Sequence, residues 1–409
     1  CNKSSSSIKE FLIKHLNLTQ NDVYEVDGII DLRSLSHLSE LSSTDDLKYS
    51  KWKPCIPKEF DENHSIWDEI KKQDLMLHTP YDSFEPVVKM INEAATDPKV
   101  LAIKITLYRT SGNSPIVKAL ELAARNGKQV TVFIELKARF DEKQNIEWAT
   151  RLQNAGVIVI YGIVNLKLHA KMMMIVRKEE EEVLRYVHLS TGNYNENTAK
   201  LYSDISIFTA EPEIANDATL FFNMISGYSA LQTMQKIKIA PINLKSNLIS
   251  LIEREIQNSS PEKPGLIIAK MNSLAHPEVI QALYKASCAN VKIKLNVRGI
   301  CMLVPGVKNL SENIQVTSII DRYLEHSRIC YFQNGGDEEI YLSSADWMPR
   351  NLDRRVEIMF PILNKSIFTR IKSILNTYLE DTENTSILNS DGSWSKILNS
   401  QTEKAEKKC

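Results

Sequence analysis

The stretch Lys167-Leu168-His169-Ala170-Lys171-Met172-Met173-Met174-Ile175-Val176 decides the fold. It alternates polar and apolar residues and then becomes an apolar run, a pattern that predicts a buried β-strand. Residues two apart share one face of a strand, so Lys167, His169 and Lys171 are expected to project together. Two neighbouring ammonium groups disfavour imidazolium, which predicts a neutral His169 that can act as a nucleophile. The alternative is an ordinary solvated strand face, as many isolated H-x-K sequences are.

A second copy of this pattern lies 157 positions further along the chain. That shift sets Val157–Ile175 against Ile314–Phe332 without a gap and aligns His169 with His326. Each histidine is followed by another strand and a small polar turn, Ser190-Thr191-Gly192-Asn193 in the first copy and Ser343-Ser344-Ala345-Asp346 in the second. Repetition of a half-site predicts two α/β domains related by internal duplication, with one cleft shared between them.

Composition limits the class of protein. The chain has 409 residues, of which 43% are hydrophobic and 25% charged, as in soluble globular proteins with two or three cores. The formal net charge is −1, so a polyanion would have to be held by a local basic cleft. Six cysteines without a C-x-x-C pair predict reduced thiols and a cytoplasmic location. Neither a signal peptide nor an apolar run of 18 residues occurs, so we expect no secretion and no membrane insertion.

Shifts in composition predict the domain organisation. We expect the end of an upstream α/β-type domain at 1–56, a first catalytic domain at 57–240, a second at 241–385 and a poorly ordered polar tail at 386–409. Since the first residue is Cys, we expect a further segment upstream. In detail, the pattern predicts a strand at Val23–Val26, a helix at Ile66–Met76 and a buried strand at Val100–Leu107.

Several side chains follow predicted strands, where open α/β sheets bind ligands. Arg109 and Arg139 follow two strands of the first domain, and Arg298 follows a strand of the second. Guanidinium groups suit phosphate oxygens, although an isolated arginine is more often a surface salt-bridge partner. Tyr202 offers a flat face for stacking on a base, but it could equally be an ordinary tyrosine of the sheet.

Two histidines facing each other across a basic cleft suit displacement at phosphorus. One attacks to give a phosphohistidine, while the other handles a proton on the attacking or leaving oxygen. Lys171 and its counterpart Arg328 would stabilise charge on the non-bridging oxygens. Glu325 is expected to support a protonated His326. The double pattern resembles the phospholipase D superfamily, although Arg328 replaces the second lysine and Asn193 stands where an acidic residue is expected.

A closer resemblance, from about Val23 to Leu379, rests on longer strings. They are His78-Thr79-Pro80-Tyr81-Asp82-Ser83-Phe84, Ile105-Thr106-Leu107-Tyr108-Arg109, Ala138-Arg139-Phe140-Asp141-Glu142, Leu168-His169-Ala170-Lys171, Thr191-Gly192-Asn193-Tyr194-Asn195, Val297-Arg298-Gly299, Asp321-Arg322-Tyr323-Leu324-Glu325-His326 and Tyr341-Leu342-Ser343-Ser344-Ala345-Asp346-Trp347-Met348. These strings are similar to those of the long-form polyphosphate kinase family, whose C-terminal domains are phospholipase D-like.

The resemblance implies reversible transfer of the terminal phosphate of ATP to inorganic polyphosphate, with Mg²⁺. ATP or ADP and polyphosphate would be the partners, without nucleic acid, and full-length members are expected to be homo-oligomers. His169 would be the phosphorylated histidine and His326 the acid, base or charge-stabilising group. Nucleotide and phosphate would contact Tyr202, Arg298, His326, Lys171 and Arg328. Arg109 and Arg139 occupy positions linked with magnesium; because arginine cannot ligate a cation, we expect them to hold oxygens that the metal also bridges.

Family members usually carry two further domains ahead of this region, a helical one contributing to nucleotide binding and one associated with dimer contacts. Two other functions remain open at this point. One is a phospholipase D-like phosphodiesterase acting on nucleic acid or lipid. The other is a catalytically impaired fragment that binds polyphosphate, which would keep the arginines but form no phosphoenzyme.

Overall fold

The computed structural model describes residues 4–28, 31–61, 64–108, 114–135, 142–162, 166–227 and 233–397. The chain divides into two compact units, Cys1–Trp52 and Lys53–Cys409. The first unit contains helix α1 (Ser6–His15) and 3-10 helices at Gln20–Asp22, Leu32–Glu40 and Ser42–Leu47. The strand predicted at residues 23–26 does not form.

The second unit is α/β. Its described α-helices are α2 (Ile66–Lys72), α3 (Glu85–Thr96), α4 (Pro115–Arg125), α5 (Glu142–Asn154), α6 (Pro212–Ile225), α7 (Leu244–Asn258), α8 (Pro277–Cys288), α9 (Pro349–Leu352) and α10 (Lys365–Glu380). Its described strands are β1 (Leu75–Thr79), β2 (Val100–Leu107), β3 (Gln129–Ile134), β4 (Ile158–Tyr161), β5 (Lys167–Leu168), β6 (Met172–Lys178), β7 (Val183–Ser190), β8 (Tyr202–Thr209), β9 (Lys238–Ala240), β10 (Leu266–Met271), β11 (Lys292–Val297), β12 (Ile314–Ile319), β13 (Leu324–Glu325), β14 (Arg328–Phe332), β15 (Glu339–Ser343), β16 (Arg355–Pro361), β17 (Thr385–Leu388) and β18 (Trp394–Lys396). Short 3-10 helices lie at Lys58–Phe60, Thr198–Lys200 and Asn334–Gly336.

The strands form two sheets of matching order. One sheet runs β1-β8-β7-β6-β2-β3-β4 and the other β18-β17-β12-β11-β10-β14-β15-β16-β5. The run β8-β7-β6-β2-β3-β4 therefore corresponds, strand for strand, to β16-β15-β14-β10-β11-β12. In both runs the last three strands are parallel and the others antiparallel. The predicted internal duplication of an α/β domain is confirmed.

Two short strands cross between the sheets. β5, which precedes His169, pairs with β16 of the second sheet through Leu168 and Val356. β13, which precedes His326, pairs with β8 of the first sheet. The chain segment carrying each histidine thus leaves its own sheet and joins the edge of the other, which places both histidines where the two halves meet.

Local sequence signals explain the supporting elements. The Ser114 hydroxyl accepts a hydrogen bond from the backbone N–H of Ile116 at 3.3 Å, and Pro115 begins α4. Gly127, with φ of +79°, follows the end of that helix. A single apolar cluster contains Met174 of β6 and Ile329 of β14, so side chains of both sheets share one core. Each such buried side chain contributes roughly 1.5–3 kcal/mol, which fixes the sheets that position the histidines.

Two further local predictions are wrong. The helix predicted at Ile66–Met76 ends at Lys72, because Leu75 and Met76 are buried in β1 and pair with Phe208 and Ile207 of β8. The tail predicted to begin at residue 386 starts instead as a strand, since β17 pairs with β12 and β18 pairs with β17. In addition, β9 lies before the boundary predicted at residue 240 but pairs with β16 in the second sheet.

Two class-level features concern membranes and disulfides. Of the helices that the structure describes, none is long and apolar enough to cross a bilayer. Cys55, Cys288, Cys301 and Cys330 have free thiols.

Candidate active site

The segment carrying His169 is not a continuous strand. β5 ends at Leu168 and β6 begins at Met172, because the backbone N–H groups of His169 and Ala170 both donate to Val356 O, each at 2.9 Å. The expected alternation of side chains across residues 167–171 is therefore wrong. At the second histidine, the N–H groups of His326 and Ser327 both donate to Ser203 O, at 3.2 and 2.8 Å. Both histidines thus sit in the same kind of crossing.

His169 is held by a carboxylate of the other half. Its Nδ1 lies 2.8 Å from Oε2 of Glu357, a fully buried residue of β16. Glu357 also accepts hydrogen bonds from the Ser344 hydroxyl at 2.5 Å and from the Asn351 side-chain amide at 2.6 Å. A carboxylate can only accept, so His169 Nδ1 carries the proton and Nε2 keeps its lone pair.

The charge state of this pair follows from its burial. Burial lowers the pKa of His169 to about 3; Glu357 opposes that shift and Lys171 adds to it. Burial raises the pKa of Glu357, but His169 and Lys171 outweigh it and the net shift is downward. His169 is therefore neutral at pH 7, as predicted, but burial rather than two flanking lysines is the main cause.

His326 forms the reciprocal pair. Its Nδ1 lies 2.9 Å from both carboxylate oxygens of Asp204, a residue of β8 in the first sheet. Asp204 also accepts a hydrogen bond from the Thr191 hydroxyl at 2.6 Å. Burial is again the largest cause and lowers the pKa of His326. The predicted support from Glu325 is wrong, because Glu325 turns instead to Ser203 at 2.7 Å and Lys270 at 3.1 Å.

The two carboxylates are equivalent in the duplication. Asp204 comes 13 residues after Thr191, and Glu357 comes 13 residues after Ser344. Each binds the hydroxyl of its own domain's turn and the histidine of the other domain. Sequence reasoning missed both residues. The available signal was an acidic residue at the third position of both β8 and β16.

The cations beside the histidines are asymmetric. Arg328 donates to Asp346 through Nη2 at 3.0 Å and Nε at 3.3 Å, and its Nη1 donates to His326 O at 2.8 Å. Lys171 donates to the His169 carbonyl and lies 5.5 Å from the centre of the Tyr108 ring. Burial lowers the pKa of Lys171 to about 7, with Glu357 opposing the shift. The first copy thus has an ammonium group that can lose its proton near pH 7. At the equivalent position the second copy has a permanently charged guanidinium.

A buried lysine that was not predicted lies beside the second histidine. Lys270 is 1% exposed and donates to the Ser327 hydroxyl at 3.0 Å. Its ammonium is paired with Glu325 and lies 4.7 Å from the centre of the Tyr378 ring. Burial lowers the pKa of Lys270, and Glu325 opposes this shift without reversing it. The residue gave no sequence signal because it is a single lysine in an apolar strand.

The nucleotide and phosphate contacts predicted at Tyr202 and Arg298 remain predictions, but both residues adjoin His326. The ring centres of Tyr202 and His326 are 5.2 Å apart. Arg298 Nε donates to the Asn272 side-chain oxygen at 3.1 Å, and the Asn272 amide donates to His326 O at 3.4 Å. Arg109 and Arg139 lie outside the described residues.

The described residues contain no group of carboxylates that could surround the expected Mg²⁺ ion. Across the described ranges, no group of three or more His, Cys, Asp and Glu side chains could hold a metal ion. Near the histidines, Asp204, Asp346 and Glu357 are each already paired with His326, Arg328 and His169. These carboxylates therefore do not fit as direct ligands of Mg²⁺, which commonly binds one or two carboxylates together with substrate phosphates.

The charged residues of the two copies act on one another across the site. Lys171 of the first copy contributes to the downward shift of the pKa of His326 in the second. Asp204 and Arg328 act in turn on Lys171. His169 Nε2 is unprotonated, and His326 Nε2 lies 3.2 Å from Arg328 Nη1, which can donate to it. Two neutral imidazoles flanked by buried cations can thus accept a phosphoryl group and hold its oxygens.

Comparison with known families gives two adjoining matches. The family model "Polyphosphate kinase C-terminal domain 1" matches residues 65–231. "Polyphosphate kinase C-terminal domain 2" matches residues 237–408. Together they cover the histidines, their carboxylate partners and both sheets.

Individual relatives agree with these matches. The chain is 49% identical over 394 residues to a polyphosphate kinase from Rhodopirellula baltica and 48% identical over 391 residues to one from Pseudomonas aeruginosa. Each match covers 96% of this chain but only 46% and 57% of the two relatives. The chain thus spans about half the length of the curated relatives it matches.

Solved structures give the same relation. A crystal structure of polyphosphate kinase from Porphyromonas gingivalis superposes with a TM-score of 0.85 at 36% identity, covering 98% of this chain and 61% of that one. A phosphatidylserine synthase from Haemophilus influenzae superposes with a TM-score of 0.54 at 12% identity, covering 82% of this chain and 92% of that one. The latter likeness shows a shared fold alone.

Proposed function

The chain belongs to the polyphosphate kinase family, of which it contains the two C-terminal domains, and on this basis we propose that it transfers the γ-phosphate of ATP reversibly to inorganic polyphosphate through a phosphohistidine. The observation that carries the proposal is the reciprocal pairing of His169 with Glu357 and His326 with Asp204 across the duplicated sheets. Each pair leaves one imidazole Nε2 unprotonated in a cluster of buried cations.

We assign the nucleophile to His169. The Nε2 lone pair forms a bond to the γ-phosphorus while the bond from that phosphorus to the β–γ bridging oxygen breaks, releasing ADP. The terminal oxygen of polyphosphate then attacks the same phosphorus, and the N–P bond breaks. Because Nδ1 keeps its proton, the phosphorylated ring carries positive charge, and the ionised Glu357 at 2.8 Å stabilises it.

His326 has a different role in this proposal. Burial and Arg328 hold its imidazole neutral in the free site, although Asp204 opposes that shift in its pKa. An anionic phosphate oxygen near Nε2 would favour a proton there, so substrate binding brings proton uptake. The protonated ring then donates to the attacking or leaving oxygen and stabilises its charge.

Cations hold the transferred group. Arg328 is fixed by Asp346, so its guanidinium is oriented before substrate binds. Lys171, whose pKa is about 7, gains charge when a polyanion arrives. Tyr202, Arg298 and the arginines at 109 and 139 are the further proposed contacts to nucleotide and phosphate.

Magnesium enters the proposal only as the counter-ion that nucleotide phosphates bring with them. The described carboxylates are occupied by histidine and arginine, so no step is assigned to a metal held by these residues. The proposed partners are ATP or ADP and polyphosphate. Homo-oligomers of the full-length protein are a further part of the proposal.

The test is incubation with ATP labelled at the γ-phosphate. We expect an acid-labile label on the protein that polyphosphate removes while its chain lengthens. Discharge of the label to water in preference to polyphosphate would favour the phosphodiesterase alternative. Binding of polyphosphate without any label would indicate a non-catalytic module.

A further inference from the structure

The two segments that cross between the sheets are held in different ways. In the first copy, Leu168 of β5 lies opposite Val356 of β16, and both side chains are buried and apolar. In the second copy, Glu325 of β13 lies opposite Ser203 of β8, and the Ser203 hydroxyl donates to the Glu325 carboxylate at 2.7 Å. The duplication therefore has a polar contact beside the second histidine where the first histidine has an apolar one.

A buried lysine extends this difference. The register of β10 with β14, applied to β2 and β6, makes Thr106 the counterpart of Lys270. The Thr106 hydroxyl donates at 2.8 Å to the carbonyl of Ala170, the residue that follows the first histidine. Lys270 instead donates to the Ser327 hydroxyl at 3.0 Å and pairs with Glu325 at 3.1 Å. A neutral hydroxyl in the first copy thus corresponds to a buried ion pair in the second.

The ion pair reaches the second histidine through the backbone. Glu325 directly precedes His326 in the chain, and its carboxylate binds the Ser203 hydroxyl. The Ser203 carbonyl accepts hydrogen bonds from the N–H groups of His326 and Ser327. Ser203 in turn directly precedes Asp204, the carboxylate partner of His326. The contacts of Glu325 therefore fix the backbone on both sides of the pair that His326 forms with Asp204.

Helix α10 completes the cluster. The Tyr378 hydroxyl lies 3.1 Å from the Ser203 hydroxyl, and the Lys270 ammonium lies 4.7 Å from the centre of the Tyr378 ring. Lys270 is 1% exposed and Glu325 is 6% exposed. An ion pair buried so deeply adds little to stability, because both ions lose their hydration. Apolar side chains suffice to hold the first crossing, so stability of the fold does not account for the polar set.

We propose that Lys270 and Glu325 are positioning residues for His326. They fix its chain segment against Ser203, so that the imidazole keeps its hydrogen bond to Asp204 when the ring gains and loses a proton. Charged hydrogen bonds are directional, whereas an apolar contact is not and would allow the segment to shift. The inference rests on the proposed function, in which His326 handles a proton during phosphoryl transfer.

A double variant tests the proposal. Lys270→Met/Glu325→Leu removes both charges together and replaces them with apolar side chains. Because replacing a whole buried ion pair with apolar groups is often neutral or stabilising, the midpoint of urea denaturation should stay close to that of the wild type. The rate of phosphoenzyme formation, measured by rapid-quench labelling with γ-labelled ATP, should fall by about 10²-fold, as a misplacement of about 1 Å can cause.

The same double change in a His326→Ala background supplies the decisive comparison. If the ion pair acts through His326, the two losses overlap. Adding Lys270→Met/Glu325→Leu to His326→Ala should then lower the labelling rate by less than about threefold further. A general loosening of the site would instead lower the rate by the same factor in both backgrounds, because independent effects add.

Two further variants separate the contacts. Lys270→Met/Glu325→Gln keeps an acceptor for the Ser203 hydroxyl and should recover part of the lost rate. Arg254→Met/Glu339→Leu is the control, since it removes an ion pair between α7 and β15 whose Nη2 and Oε2 atoms are 2.5 Å apart. This control should become labelled at the wild-type rate.

The contrary outcomes are distinct. Wild-type labelling by Lys270→Met/Glu325→Leu, or an equal loss of rate with and without His326, would overturn the positioning role and leave the proposed function standing. No recovery with glutamine at position 325 would also overturn it, as would a double variant that fails to fold, because the pair would then serve the fold. If the wild-type chain forms no phosphoenzyme, the proposed function fails and this inference fails with it.

Discussion

Glu357 hydrogen-bonds to His169 across the duplication, with 2.8 Å between Oε2 and Nδ1. The carboxylate belongs to the second sheet and the imidazole to the first. Asp204 and His326 repeat the relationship in the opposite direction, at 2.9 Å. Neither half therefore holds a complete histidine–carboxylate pair, and the site depends on both domains.

Replacement of this carboxylate should impair His169 without removing it. Glu357→Gln keeps the side-chain volume but loses the charge that orients Nδ1–H and stabilises the phosphorylated ring. We expect the rate of phosphoenzyme formation to fall by about 10²–10⁴-fold. Rapid-quench labelling measures this rate, and circular dichroism checks that the buried substitution is tolerated.

Asp204→Asn is the matched control for that experiment. It alters the equivalent carboxylate but acts on His326, so label should still form on His169, more slowly. If the Glu357→Gln variant became labelled at the wild-type rate, the Glu357 carboxylate would have only a structural role.

The proposed phosphate contacts of Arg109 and Arg139 can be tested by substitution. If they hold phosphate oxygens, each change to Ala should lower the rate of phosphoryl transfer on the order of 10²-fold or more. Lysine at either position should recover only part of the rate, because the bidentate fork is lost. Steady-state assays with Arg151→Ala as a control, an arginine paired with Glu121 at the surface, measure these effects. Turnover close to wild type in both alanine variants would make them surface residues.

The free energy of unfolding should decrease as the pH is lowered from about 6.5 to about 3. Burial lowers the pKa of His78, His169 and His188 to about 3 in the folded chain. Unfolding restores values near 6.5, so in this window the unfolded state binds more protons and acid favours unfolding. Near pH 5 each histidine adds about 1.4 kcal/mol per pH unit to the slope.

Urea denaturation at several pH values measures that slope. His188 contacts Tyr194 in the core of the first domain at 2.9 Å. In a His188→Gln variant, the slope of the unfolding free energy against pH should therefore decrease by the contribution of one histidine. The rate of phosphoryl transfer should be unchanged. A free energy of unfolding that is flat from pH 6.5 to 5 in the wild type would contradict the neutral buried histidines.

Periodicity in the sequence predicted most of the fold because the central strands are apolar and bounded by clear signals. The strand at Val100–Leu107 has the predicted bounds. The shift of 157 residues also carries β5 onto β13. Errors arose where pairing with distant strands overrode local preference, as for Leu75 in β1.

The candidate site could be predicted only in part. The histidines and Arg328 were visible as a repeated motif, but their carboxylate partners lie 188 and 122 residues away. Glu325, which is adjacent to His326 in sequence, was predicted to be its carboxylate partner, but the partner is Asp204. Local spacing cannot show which carboxylate reaches a histidine when strands exchange between sheets, because that contact depends on the assembled domains.

The assignment of roles to the two histidines is tested most directly by mapping the labelled residue. Wild type, His169→Ala and His326→Ala are incubated with γ-labelled ATP and digested under alkaline conditions that preserve phosphohistidine. We predict label on His169 in the wild type, none in His169→Ala, and label on His169 alone in His326→Ala. In the last variant, formation and discharge should both be slower by about 10²–10⁴-fold. Label on His326 in the wild type, or label that persists in His169→Ala, would contradict the account.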